Sequence, residues 1–121
     1  NMFPASMLQK LFVKGSLKNT PSGFEMKMKN IIDTGTLIGV GPLVVDGTSY
    51  EPSKMRITTS SGETTGDQLS RAHPLTIHAY SEARLQVTGD PLPPGEHQIK
   101  LQLLVNEAGQ LQFAFTESLS E

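Results

Sequence analysis

Short windows of strictly alternating apolar and polar residues are the feature that most constrains how this chain folds. A period of two places every second side chain on one face of a strand, so each window predicts a strand with one dry face. The clearest windows are residues 24–28, 99–105 and 111–115, and weaker ones are 11–17, 55–57, 75–79 and 85–87. Turn-forming residues separate them, and 11 glycines and 8 prolines in 121 residues leave no room for a long helix.

The stretch 37–45 departs from this alternation because it is almost wholly apolar. It contains Gly39, Gly41 and Pro42, which predict a central strand, or a pair of strands, with a bulge or a sharp bend. Asp46 and Gly47 follow, and an Asp-Gly pair between two strands is the signal of a type I′ hairpin. Helical turns are expected only at residues 4–10 and 66–72.

These patterns predict an all-β fold, a single antiparallel β-sandwich of about eight short strands, with a partly barrel-like form as the alternative. We expect residues 1–121 to form one domain, with loosely ordered ends at 1–9 and 117–121. The predicted core contains the apolar residues of the dry faces: Phe24, Met26, Val44, Ile57, Ile77, Leu85, Val87, Ile99, Leu101, Leu103, Leu111, Phe113 and Phe115.

Composition excludes several classes of function. The chain has no cysteine, so it has no disulfide, no thiol nucleophile and no thiolate metal site. Its net charge of -2 gives no general attraction to nucleic acid. We find no apolar run of membrane-spanning length and no secretory signal pattern. We therefore expect a cytoplasmic protein without cofactor, nucleic-acid partner or membrane partner.

The histidines do not have the spacing of a metal site. His73 and His78 are five residues apart, which places them on opposite faces of a strand. His78 is expected to share the polar face with Thr76 and Tyr80. His97 follows a Pro-Pro-Gly turn, where an imidazole commonly bonds a turn carbonyl. A ligand-binding or catalytic role for His78, Tyr80 or His97 remains the alternative.

No other catalytic or nucleotide-binding pattern is present. The glycine-rich segment 35–41 lacks the third glycine of the dinucleotide fingerprint, and Pro42 blocks the helix that would face a phosphate. The sequence has no Gly-x-Ser-x-Gly or Ser-x-x-Lys motif. An enzyme would need His78, His97 and one of the turn carboxylates to converge in the fold.

Two surfaces are candidates for binding a partner. If residues 10–19 and 23–30 form a hairpin, Lys14 and Lys18 share one face with Lys27 and Lys29, as edge-strand guards or as a site for an anionic ligand or acidic partner. The polar face of the last two strands is rich in glutamine, and Leu104 breaks its pattern by facing outward. Such a face is suited to a homo-oligomer or to a larger enzyme subunit, and an ordinary solvated face is the alternative.

Four segments resemble a known family: LKN at 17–19, GFEM at 23–26, GPLVVDG at 41–47 and PGEH at 94–97. Over residues 11–116 the chain resembles small bacterial proteins related to the beta subunit of C-glycoside deglycosidases. That subunit is an antiparallel β-sandwich that assembles with a larger barrel-type subunit, which supplies the metal and the base. The resemblance implies a non-catalytic accessory role beside a sugar-processing enzyme, and it transfers no catalytic residue to this chain.

Two functions therefore remain open on the sequence. The first is this accessory or interaction module, and the second is a stand-alone binder that holds a small ligand between the sheets or at the bend of residues 39–42. Short proteins of this pattern also carry the name of hydroxymethylglutaryl-CoA reductase. Because the chain has neither a nucleotide loop nor a catalytic constellation, we expect it not to be that enzyme.

Overall fold

Two antiparallel β-sheets pack face to face without closing into a barrel, as the alternation predicts. The computed structural model describes residues 3–120. In chain order the strands are β1 (Lys18–Thr20), β2 (Gly23–Lys29), β3 (Gly35–Val40), β4 (Leu43–Val45), β5 (Thr48–Tyr50), β6 (Met55–Thr59), β7 (Gly62–Thr65), β8 (Leu75–Ile77), β9 (Glu82–Thr88), β10 (Glu96–Val105) and β11 (Gly109–Ser118). The all-β sandwich is confirmed, with eleven strands within residues 3–120 where about eight were expected.

The first sheet, sheet A, has the strand order β1-β2-β9-β6-β7. The second, sheet B, is built around β10, the central and longest-paired strand. β11 pairs with β10 along its whole length, while β4 pairs with the first half of β10 and β3 with the last three residues. β5 extends the sheet beyond β4, and β8 extends it beyond β3.

The apolar stretch of residues 37–45 is one broken strand, which confirms the predicted strand pair. β3 and β4 follow the same edge of β10 and are interrupted at Gly41 and Pro42, and the register shifts between Leu104 and Val105. A Cβ atom at Gly41 would lie 2.7 Å from Oε1 of Gln102. A Cβ atom there would also lie 2.9 Å from the Cβ of Gln102, which cannot rotate away as the amide end can, so the close approach of β10 favours glycine at position 41.

The turn after this stretch has the geometry that its sequence predicts. Asp46 and Gly47 have φ values of 49° and 84°, and Val45 pairs directly with Thr48. Both turn residues lie in the left-handed region, as a type I′ turn requires. Asparagine and aspartate tolerate this region better than most residues, so the Asp-Gly pair suits the site.

The core lies between the sheets and contains most of the predicted residues. Phe24, Met26 and Ile99 are buried, whereas Ile77, Leu103 and Phe115 are only half-buried at its margin. The prediction that Val44 lies in the core is wrong. Val44 pairs with Lys100 on the outer face, and its neighbours Leu43 and Val45 point inward instead. Two buried residues of the core, Leu8 and Leu92, lie outside every sequence window.

Short helical elements lie where they were expected, with one addition. α1 (Ala5–Gln9) lies within 4–10 and buries Leu8, and a 3-10 turn at Gly66–Gln68 lies within 66–72. A second 3-10 turn, Pro52–Lys54, was not expected. The chain ends at 1–9 and 117–121 were expected to be loosely ordered. The structure has α1 in the first of these segments and the end of β11, Ser118, in the second, and residues 1, 2 and 121 lie outside the described residues. No helix within 3–120 has the length and apolarity needed to cross a membrane.

Truncation of a core ring measures how far stability depends on this packing. Phe113 is 2% exposed, so Phe113→Ala should lower the free energy of unfolding by about 3 to 5 kcal/mol in urea denaturation. The neighbouring Gln112 points outward and is exposed, so Gln112→Ala should change it by less than about 0.5 kcal/mol. Similar losses in the two variants would contradict the register of β11.

Candidate functional site

A cavity of about 360 Å³ opens at one end of the sandwich, between the two sheets. Sheet A contributes β2 and β9 to its wall, and sheet B contributes β3, β8, β10 and β11. Its apolar wall includes Leu11, Met28, Leu37, Ile77, Ala83, Leu103, Leu111 and Phe113. The cavity is therefore an extension of the core that reaches the surface.

Small side chains and strand ends create this space. Met28 and Ala83 are direct cross-strand partners at the end of sheet A. Ala83 is smaller than Leu85 and Val87, the other two inward-facing residues of β9, so the wall of sheet A recedes there. On the opposite sheet Leu104 pairs with Gly39 and Val105 with Leu37, so Ile38 is an extra residue that forms a bulge and bends β3 at this end of the sandwich.

The polar groups around the mouth are engaged in holding the loops. The two carboxylate oxygens of Glu107 accept from the backbone N–H and the hydroxyl of Thr36 at 2.8 and 2.7 Å, and these bonds hold the pKa of Glu107 below its usual value. Asn30 donates to the carbonyls of Asp33 and Ile77 at 2.7 and 3.0 Å. The mouth is thus polar and its loops are held in place by hydrogen bonds, while the interior offers only apolar contacts.

His97 lies at the other end of β10 and is 3% exposed. Its Nδ1 lies 2.5 Å from Oδ2 of Asp46, and its Nε2 lies 2.7 Å from the carbonyl oxygen of Pro93. The second oxygen of Asp46 accepts from the backbone N–H of Gln98 at 2.8 Å. The expected bond from His97 to a turn carbonyl is present, together with a carboxylate partner 51 residues away in sequence.

These contacts define the protonation state of His97. A carbonyl oxygen only accepts, so Nε2 carries a hydrogen, and an ionised carboxylate requires a second hydrogen on Nδ1. The hydrogen bond to Asp46 raises the pKa of His97 above 6.5 despite burial, and the same bond lowers the pKa of Asp46 below 3.8. With both ring nitrogens donating within the protein, His97 has no free nitrogen for a substrate.

His78 does not join His97 in a catalytic cluster. β8 ends at Ile77, so His78 lies in the following loop and not on a strand face beside Thr76. Ile77 pairs with Gly35 at the Val105 end of β10, which places His78 about 26 Å along the sheet from His97 at the usual rise per residue. Within residues 3–120 no three His, Asp or Glu side chains come together as a metal site.

Tyr80 is in the same loop as His78 and is 71% exposed. Its φ of 61° lies in the left-handed region, which non-glycine residues rarely adopt. Its backbone N–H donates to the carbonyl of Asn30 at 2.6 Å, and the hydroxyl of Ser81 donates to the carbonyl of His78 at 2.7 Å. The loop of His78 and Tyr80 therefore lies next to the mouth of the cavity, because Asn30, to which Tyr80 is bonded, lines that mouth.

The lysines predicted as a cluster lie on or beside the outer face of sheet A. Lys27 and Lys29 face outward on β2, directly opposite Arg84 and Glu82 of β9. Lys18 lies opposite Glu25 with 4.0 Å between Nζ and Oε2. The face is thus a mixture of both charges and not a purely positive patch.

The predicted hairpin is broken, which separates Lys14 from the other lysines. Residues 11–13 and β1 both pair with β2, through the bridge of Phe12 with Met28 and through Lys18 with Glu25. Lys14 lies in the exposed turn between these two segments, next to Gly15 with a φ of 82°. The hydroxyl of Ser16 fills the gap by accepting from the backbone N–H of Lys27 at 2.9 Å.

Leu104 lies on the outer face of sheet B and is 40% exposed, as the broken alternation predicts. It packs over Gly39, whose Cβ would lie 3.5 Å from that of Leu104. The outward-facing residues of β10 and β11 around it are mostly uncharged: Gln98, Lys100, Gln102, Gln110, Gln112, Ala114 and Thr116. This uncharged face is the second candidate surface.

Comparison with known proteins adds a family. The model of the hydroxymethylglutaryl-CoA reductase N-terminal domain family matches residues 7–120. The chain belongs to this family. The reductase N-terminal domain family is not the one that the sequence resemblance named, so the relation to C-glycoside deglycosidase beta subunits remains a proposal.

The chain was also compared with curated proteins and with solved structures. No curated protein matches the chain. Among solved structures, a family 123 glycoside hydrolase from Clostridium perfringens is similar with a TM-score of 0.39 and 8% sequence identity. The similarity covers 89% of this chain and 26% of that one, so the chain spans about a quarter of the hydrolase.

The pair of Asp46 and His97 predicts a stability maximum at mildly acidic pH. The pKa of His97 is raised, so its contribution is complete below pH 6.5 and disappears as the pH rises through the higher folded-state pKa. The pKa of Asp46 is lowered, so its contribution is complete above pH 3.8 and disappears as the pH falls through the lower folded-state pKa. Urea denaturation across the pH range measures the fall of the free energy of unfolding on both the acidic and the alkaline side of the maximum.

Asp46→Asn removes the charge and keeps a residue that tolerates the left-handed turn. We expect it to lower the pKa of His97 in an NMR titration and to flatten the alkaline limb of the stability profile. Asp90→Asn, in the neighbouring exposed loop, is the control and should change neither. An unchanged pKa of His97 in Asp46→Asn would show that the ion pair is not what raises it.

Proposed function

We propose that this chain is a non-catalytic binding module that takes a small apolar ligand in the cavity between its sheets. The observation that carries the proposal is the apolar space of about 360 Å³. Small-molecule sites enclose about 300 to 1,000 Å³ and are lined mostly by apolar side chains with a few polar groups. The cavity has that size and that lining, with its polar groups confined to the mouth.

The energetic cost of the space supports the same function. Protein interiors are close-packed, and unfilled apolar volume destabilises a fold because its lining loses dispersion contacts. A ligand that fills the cavity restores those contacts and removes apolar surface from water. An apolar ligand bound in this space would therefore stabilise the folded chain.

The chemistry of the described residues favours binding over catalysis. The one buried imidazole, His97, uses both nitrogens within the protein, and it lies at the end of β10 remote from the cavity. The carboxylate of Glu107 at the mouth is held by Thr36. Neither group is placed to transfer a proton to a ligand inside the cavity.

A substitution that fills the cavity tests this function. Ala83→Leu projects three more carbons into the space, so it should weaken the binding of 1-octanol and of 1-naphthol at least tenfold in isothermal titration calorimetry, while keeping or raising stability. Ala114→Leu makes the same change on the exposed outer face of β11 and should leave binding unchanged. Absence of binding to the unmodified chain, or equal affinity in Ala83→Leu, would contradict the proposal.

A second candidate function is the accessory role beside a larger enzyme. Two observations favour it: the family description names one domain of an enzyme, and the sequence resembles the beta subunit of a sugar-processing C-glycoside deglycosidase. The uncharged face around Leu104 is the surface that we assign to this contact, either with a larger subunit or with a second copy of the chain. On this face of β10 and β11 only Lys100 and, at the far end of β10, Glu96 carry a charge, so the residues around Leu104 lose little on desolvation.

The oligomeric state tests the face around Leu104. We expect at least a dimer in light scattering at high micromolar concentration, and Leu104→Glu should convert it to a monomer because a buried unpaired carboxylate is costly. Tyr80→Glu, at the other exposed large apolar residue, is the control and should leave the assembly intact. If the chain is monomeric alone, co-expression with a barrel-type sugar-enzyme subunit should yield a complex that Leu104→Glu disrupts, and failure of both assays would exclude this face.

A further inference from the structure

A second, smaller void continues from the cavity toward the centre of the core. It encloses about 30 Å³ and is also lined by Ile57 and Leu85 of sheet A and Leu101 of sheet B. The void and the cavity share five wall residues: Met28, Leu37, Ile77, Ala83 and Leu103. The two spaces therefore adjoin between the sheets, and these five side chains border both.

The strands define the dimensions of this passage. Val105 lies at the mouth, Leu103 borders both spaces, and Leu101 borders only the inner void. Four residues of extended strand correspond to about 13 Å of depth, and packed sheets lie about 10 Å apart between backbones, so side chains leave only a narrow gap. Along the strands the space is accordingly deeper than the gap that separates the two sheets.

Met28 and Ala83 lie between the outer and inner parts. They face each other across β2 and β9, and both border the cavity and the void. Methionine is unbranched and has three rotatable side-chain bonds, so it can move aside at low cost. The side chain of Ala83 on the neighbouring strand is too small to fill the space, so Met28 is the main side chain between the cavity and the inner void.

We propose that the ligand is an unbranched aliphatic chain that enters at the mouth and passes Met28 and Ala83 into the inner void, so that these two side chains control how far the chain extends. This inference rests on the proposed ligand-binding function and adds the shape of the ligand to it. A 150 Å³ apolar cavity holds benzene, so by the same proportion the 360 Å³ cavity holds roughly 14 carbons. A polar head group remains at the mouth among the residues of loop 30–34.

Straight-chain alcohols from 1-hexanol to 1-tetradecanol test the shape of the site in the unmodified chain. Burial of each further methylene should tighten binding in calorimetry about three- to fourfold, until the affinity stops rising at roughly 12 to 14 carbons. At a fixed ten carbons, 1-decanol should bind at least tenfold more tightly than its branched isomer 2-propyl-1-heptanol. Both comparisons are made on the native sequence, so neither depends on the folding of a variant.

A variant at position 28 tests the limiting residue. Met28→Ile replaces the flexible side chain by a stiff, β-branched one, so closure of the 30 Å³ void should make the affinity stop rising about one carbon earlier while 1-hexanol binds as before. Met26→Ile is the matched control, because Met26 is buried on the same face of β2 and lines neither space. An unchanged length profile in Met28→Ile would contradict the role of Met28.

The outcomes separate this inference from the function on which it rests. If the alcohols and 1-naphthol bind but affinity does not depend on chain length or branching, the linear ligand is excluded and the binding function stands. If none of these compounds binds the unmodified chain, both are overturned. A length-dependent affinity with preference for the straight isomer supports both.

Discussion

The pairing of β10 with the broken strand of residues 35–45 is the interaction on which sheet B depends. β3 and β4 share one edge of β10, and each brings its own neighbour, β8 or β5, into the sheet. Glycine at position 41 permits this pairing because the Gln102 side chain occupies the space of a Cβ atom there. The interruption at Gly41 and Pro42 thus lets one stretch of chain pair with both halves of β10, while the separate bulge at Ile38 lies at the cavity end.

The two ends of β10 differ in chemistry as a consequence. At the His97 end, an imidazolium, a carboxylate and a proline carbonyl close the sandwich with charged hydrogen bonds. At the Val105 end, the register shifts, sheet A recedes at Ala83, and the sheets enclose an apolar space. One end is fixed by polar bonds while the other has room for a ligand, so rigidity and binding are separated along the same strand.

The sequence predicted the features that depend on local pattern. Alternation identified the sandwich, and the Asp-Gly pair identified the I′ turn. Periodicity could not set the register of an apolar run without polar residues, so Val44 was assigned to the core in place of Leu43 and Val45. The partnership of Asp46 with His97 and the void beside Ala83 depend on residues far apart in the chain, and no window of sequence contains both sides of either.

The proline-rich loop 89–95 shows how such long-range contacts change the behaviour of a segment. By composition it is the kind of exposed connection at which proteases cut and chains open first. Here Asn19 exchanges two hydrogen bonds of 2.9 Å with the backbone of Leu92, whose side chain is buried, and His97 binds the carbonyl of Pro93. Opening the loop removes Leu92 from the core and breaks the hydrogen bond from the buried ring of His97 to Pro93, so its local unfolding is coupled to that of the whole domain. Loop 89–95, which its composition marks as flexible, is therefore fixed by its contacts with Asn19 of sheet A and His97 of sheet B, and it holds the two sheets together.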